Sequence, residues 1–173
     1  MSRSLGSLIA DSLGLSLGYA ERLLRDVPAA RFPRLAAPGG RLVESNHPAF
    51  IYGHLSLYAP KILQQIGHPA PAVPDQFEVR FSKDAHCVDD PDLDLYPPMA
   101  EVVEFFTEGH RMVSAALRST PDEVFQQPNP AAGRMRELFP TIGSVQTFYC
   151  GGHMMMHLGQ MSAWRRMEGM PAA

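Results

Sequence analysis

The chain has 173 residues, 45% of them hydrophobic and 19% charged, with a formal net charge of -3. That balance excludes wholesale disorder and suits one globular domain over residues 1–173. The basic surplus expected of a nucleic-acid binder is absent, and no apolar run approaches the ~20 residues that span a bilayer.

The stretch from Met1 to Leu24 is leucine-rich but broken by Asp11, Glu21 and Arg22, so it is not read as a signal peptide. Two cysteines, Cys87 and Cys150, are too few for a disulfide scaffold and fit a reducing compartment, so a cytoplasmic protein is expected.

The first predicted helix covers Ser4 to Arg25. Leu5, Leu8, Ile9, Leu13, Leu17, Ala20, Leu23 and Leu24 recur mostly at three- and four-residue steps, with Leu15 and Tyr19 off that face. Gly6, Gly14 and Gly18 weaken its propensity but allow close helix approach. Val27 to Leu42, with three prolines and Gly39-Gly40, is a loop. The second helix opens at Ser45-Asn46 and stops at Gly67, with Phe50, Ile51, His54, Leu57, Tyr58 and Ile62 on one stripe. Pro60 predicts a kink inside it.

His68 to Pro98 is a proline-rich connection, acidic towards its end. It is long enough to run the ~30 Å of a 20-residue helix. Gln76 to Phe81 alternates weakly and predicts a short extended piece. The third helix runs from Pro97-Pro98 to Arg118. Ser119 to Thr141 is a loop with one helical turn at Arg134 to Phe139, and the fourth helix runs from Ser144 to Glu168. Four amphipathic helices without a strand pair predict an all-α four-helix bundle with long proline-rich connections.

The fourth helix carries His153-Met154-Met155-Met156-His157. Histidines at i and i+4 share a face, so both imidazoles can reach one metal ion. Tyr149, Met156, Gln160 and Trp164 lie beside or along that face, which points it inward. His54, on the inward stripe of the second helix, is the natural third ligand. Three converging imidazoles would repel if charged, so each should stay neutral, which is the metal-binding form. Three nitrogen ligands leave a position open for water or substrate. Zinc, nickel and iron all suit imidazole, so the metal is not selected by these residues. An HxxxH pair also occurs as an ordinary surface or core contact. The glutamate of an HExxH protease motif is absent, because Met154 stands there.

The stretch HMMMHLGQMSAWRRMEGM, His153 to Met170, resembles the last helix of the DinB-like (DinB/YfiT) superfamily in its HxxxH-x-GQ-x4-RR form. Asn46 to Leu55, with Gly53-His54-Leu55, is similar to that family's second helix, and Tyr96-Pro97 resembles the usual entry to its third. The resemblance implies a four-helix bundle with a divalent metal held by His54, His153 and His157. It also implies a homodimer, and thiol-dependent transferases or isomerases that use mycothiol, bacillithiol or glutathione-like cofactors. It does not imply DNA binding.

His110, at the edge of the third helix's apolar face, is read as a boundary residue that could be a fourth ligand or a donor to one. His47 is a capping or surface residue; His68 and His86 are solvated loop residues. Gln160 can orient a ligand histidine or bridge helices. Tyr52 and Tyr58 can supply a hydroxyl or simply bury a ring. Arg165 and Arg166 suit the helix end and a surface or dimer role. The methionines read as core and interface filler, and Cys150 as a buried inert thiol rather than a ligand or nucleophile.

Two functions are consistent with these residues. One is a metal-dependent enzyme, a thiol-dependent S-transferase or isomerase or a hydrolase, acting on a small-molecule substrate. The other is a non-catalytic dimeric bundle that binds a metal or small ligand. No carboxylate base stands beside the histidines in sequence. A weaker third reading is a metal-free bundle with core histidines.

Overall fold

A computed structural model describes residues 3–173; Met1 and Ser2, the start of the Met1–Leu24 stretch, lie outside the described residues. The four predicted rods are present. Helix α1 (Leu5–Leu24) begins at Ser4, whose Oγ accepts the Ser7 amide at 3.2 Å. Its buried face is Ile9, Leu13, Ala20 and Leu23. Gly6 lies against the Leu117 backbone so closely that a Cβ would overlap it. Glycine there sets the distance to the third rod.

The second rod is divided into α2 (Pro48–Ser56) and α3 (Tyr58–Gln65). Pro60 has no amide to offer the Ser56 carbonyl, and the chain breaks at Leu57, one turn before the proline. The cap of α2 is His47 rather than Ser45 or Asn46: its Nδ1 accepts the Phe50 amide at 3.2 Å. The third rod is α5 (Met99–Ser119). Its inner residues Val102, Phe106, Val113 and Leu117 are buried.

The long connection contains a helix where an extended piece was expected: α4 (Asp75–Phe81). The weak alternation of Gln76 to Phe81 misled, because the decisive spacing is Phe77 to Phe81, an i, i+4 pair that is buried. Asp75 and Glu78 in the first turn favour the helix dipole. The Ser119–Thr141 loop carries α6 (Asp122–Gln126) as well as the expected turn α7 (Arg134–Leu138).

The fourth rod is continuous but not uniform. Helix α8 (Ile142–Thr147) passes into a π-helical turn (Phe148–His153) and then into α9 (Met154–Met167). Helix α5 packs on α1, α2 and α3, while α9 packs on α1 and α2, and α4 lies on α2. The core therefore runs between the α1/α5 pair and the α2/α9 pair. No strand occurs among the described residues, only an isolated bridge between Pro128 and Thr141. The protein is an all-α four-helix bundle. None of its described helices is long and apolar enough to cross a membrane.

Two long-range ties hold the rod ends. Arg165, expected at a surface or dimer contact, is instead buried, with Nη1 donating to the carbonyls of Leu23 at 2.9 Å and Arg25 at 2.6 Å. It closes the C-terminal end of α1, where a cation suits the orphaned carbonyls. Trp164 Nε1 donates to the Arg34 carbonyl at 2.9 Å. Among the methionines, Met154 and Met161 are core, whereas Met155 and Met156 are exposed.

Candidate metal centre

His54 comes from the last turn of α2; His153 closes the π turn and His157 lies in the first turn of α9. The three rings converge, with centroids 4.7 to 5.4 Å apart. One donor nitrogen from each lies within 4.8 Å of the others, and all three residues are buried. A π turn adds a residue to the helix, a feature frequent at functional sites. Here it ends at the first histidine of the pair.

Each ring has a different support. His54 Nδ1 is 2.8 Å from the Phe81 carbonyl. A carbonyl only accepts, so Nδ1 carries the proton and Nε2 keeps its lone pair. This contact depends on Gly53: a Cβ there would overlap the Phe81 ring, so glycine lets α4 approach α2. His157 Nδ1 is 3.0 Å from Gln160 Oε1, which also accepts Asn46 Nδ2 at 3.0 Å. Two donors on one amide oxygen fix that Nδ1 as the protonated nitrogen of His157, and its Nε2 keeps its lone pair. His153 is different: its buried Nδ1 has no hydrogen-bond partner. A buried polar atom without a partner costs roughly 1–3 kcal/mol, and here it sits in a cluster of neutral rings.

All three histidines are held below the ordinary imidazole pKa. Burial is the main cause for each. His153 is pushed lowest, to about 3, with His157, His54 and Lys61 adding repulsion. His54 adds repulsion at His157. Neutral rings with free lone pairs are what a divalent ion requires, so the donor set fits such an ion.

The histidines open onto a cavity of about 450 Å³ whose wall includes Asn46, Phe50, Tyr58, Lys83 and Cys87. No carboxylate contributes to its lining. The Tyr58 ring packs 4.4 Å from His153 and 5.3 Å from His54. Its phenol is raised to about 12, chiefly by burial, so it remains a neutral hydroxyl. Tyr52, the other tyrosine considered, is a core residue whose hydroxyl donates to the Ala20 carbonyl at 2.7 Å.

The remaining histidines do not join the cluster. His110 is fully buried, not at a boundary, and its Nδ1 bonds the Phe106 carbonyl at 2.7 Å within its own helix. His47 is the α2 cap, buried rather than on the surface, with Nε2 donating to the Val88 carbonyl at 3.0 Å. His68 Nε2 meets Thr120 Oγ1 at 3.0 Å. His86 is exposed on the cavity rim. Cys150 is buried away from the cluster, and burial raises its thiol to about 12, which makes it inert.

Cys87 and the Phe81 carbonyl escaped the sequence reading. Both belong to the long connection, and only its length hinted that it could travel back along α2. It does so, with Phe81 at His54 and Cys87 at the cap, where Cys87 Sγ accepts the His47 amide at 3.4 Å. Burial holds the Cys87 thiol up at about 11, so it stays protonated.

An all-α bundle with three buried histidines on two facing rods defines a class of metal-binding helical proteins. A family model of the DinB superfamily matches residues 16–161, and the chain belongs to that superfamily. No curated protein and no solved structure gives a match.

Proposed function

We propose that this chain is a metal-dependent enzyme in which His54, His153 and His157 hold one divalent ion, zinc, nickel or iron. The observation that carries the reading is the convergence of three buried, neutral imidazoles, one with a partnerless nitrogen. Such an ion, when bound, acidifies a coordinated water or thiol and so supplies a nucleophile near neutral pH.

The chain's own residues do the rest. Phe81 and Gln160 orient the ligand rings. Phe50 stacks on the His54 ring and Tyr58 packs against His54 and His153, and both line the cavity. Tyr58, whose ring packs against His153 and His54, brings a neutral hydroxyl to the same cavity. Cys87 Sγ in the cavity wall accepts the His47 amide, and burial holds its thiol up at about 11 in the metal-free chain, so this reading assigns the nucleophilic sulfur to a thiol from outside. This supports an S-transferase or isomerase that uses a low-molecular-weight thiol; with water in its place the reaction is a hydrolysis. A cytoplasmic, reducing location suits that thiol and is part of the proposal, as is a homodimer. Leu8, Leu15, Met155 and Met156 are large apolar side chains left exposed on the single chain.

One observation favours a second reading, a non-catalytic binding module: the cavity has no carboxylate to act as a base. Elemental analysis is the first test. The purified protein should carry close to one divalent ion per chain, and His153→Ala should lose it while keeping its helical circular dichroism. A metal-free wild type that does not take up zinc, nickel or iron overturns both readings. Metal-dependent turnover of electrophiles with a thiol panel then separates enzyme from module.

A further inference from the structure

A second cavity of about 400 Å³ adjoins the histidine cavity. Asn46, His86 and Cys87 belong to the walls of both, so the two form one groove that meets across these side chains. The compartments differ in charge. The inner one contains the three imidazoles and Lys83 and no carboxylate. The outer one is lined by Leu35, Glu44, Ser45, Val88 and Asp89 and has no lysine or arginine. Its two carboxylates are not equivalent. Asp89 is satisfied by Arg34, at 2.9 and 3.0 Å, and by the Leu35 amide at 2.7 Å. Glu44 is exposed and makes no ion pair among the described residues.

The dividing wall is held in place. Asn46 Nδ2 donates to Gln160 Oε1 at 3.0 Å, on the same oxygen that positions His157. The Cys87 thiol is held at the His47 amide. These bonds give the groove a fixed waist.

We propose that the groove takes a two-part ligand, with a compact anionic donor such as a thiolate over the histidines and an ammonium-bearing tail against Glu44. This rests on the metal reading above and names the ligand class for it. Three neutral imidazoles bring no negative charge, so a divalent ion on them keeps its full charge in a carboxylate-free cavity, and an anionic donor is what compensates it. The outer compartment offers the opposite field: Glu44 as a free carboxylate, the neighbouring Arg34 cation already taken up by Asp89, and serine and asparagine for hydrogen bonds. An anionic tail would be repelled there.

Three thiols test this on the cobalt(II)-loaded protein, read through the thiolate-to-cobalt absorption band: N-acetylcysteinamide as the head alone, N-acetylcysteinyl-lysinamide with a cationic tail, and N-acetylcysteinyl-glutamic amide with an anionic one. The cationic tail should bind about fivefold more tightly than the anionic one, the size of a solvent-facing ion pair. Glu44→Gln should abolish that preference, and Glu44→Lys should reverse it, with the affinity for N-acetylcysteinamide unchanged in both. Equal affinities for the two tails, or a preference that survives Glu44→Gln, overturn the proposal and leave the metal reading standing. Absence of the band with all three thiols overturns the thiol reading and this proposal together.

Discussion

At the residue scale, the proposed metal centre depends on groups that touch its histidines from behind. Gln160 is the clearest, because its one oxygen receives protons from both His157 and Asn46. Removing it frees the His157 ring to rotate and to take the other tautomer. Gln160→Ala should weaken zinc binding about 10- to 100-fold, the usual cost of losing such a partner. Competition against a chromogenic chelator measures this. Gln160→Glu, which keeps an acceptor at the same place, should recover much of the affinity. An unchanged affinity in the alanine variant would assign Gln160 to helix bridging alone. The pairing of residues 157 and 160 on one helical side is legible in the sequence; the arrival of Asn46 from 114 positions away is not.

At the element scale, the decisive contact is between α2 and α4. Gly53 and Phe81 interlock without room for a methyl group, and the same Phe81 presents its carbonyl to His54. Gly53→Ala forces the two helices apart. We expect a loss of about 1–3 kcal/mol from overpacking, seen as a lower midpoint in urea, together with weaker metal binding from the displaced carbonyl. A variant as stable as the wild type with full metal affinity would show that α4 does not support the site. The Gly53-His54-Leu55 triplet is visible in the sequence, but its reason lies in a helix that the sequence reading took as extended. Local alternation at Gln76 to Phe81 was weak, and burial of Phe77 and Phe81 against α2 and α5 made the segment helical. The π turn is also an element-level feature. Gly151-Gly152 lies within it, yet glycines alone do not distinguish a π turn from a weakened α-helix.

At the scale of the whole molecule, five of the seven histidines are buried with depressed pKa values: His47 and His110 at about 4, His153 at about 3, and His54 and His157 below their ordinary value. Burial is the leading cause in each case. The unfolded chain takes up protons near pH 6.5, whereas the folded chain resists them until lower pH. Stability is therefore full above about pH 6.5 and falls as pH drops towards the folded values. Each deeply buried histidine contributes ~1.4 kcal/mol of loss per pH unit in that window. Denaturation of the metal-free protein between pH 7.5 and 4.5 should show a midpoint that falls steeply below pH 6.5. A flat profile would mean that these rings are accessible to protons in the folded state.

The amino-acid sequence by itself determined the four rods, their inward faces, the break that Pro60 imposes and the helical pair His153 and His157, because each follows from local periodicity and backbone chemistry. It also placed His54 on an inward stripe. Only the tertiary structure decided which groups stand behind those rings, that Arg165 closes the end of α1, and that the long connection returns to form the cavity wall. Those contacts join residues far apart in the chain, and they are set by how closely whole helices can approach, which no local pattern records.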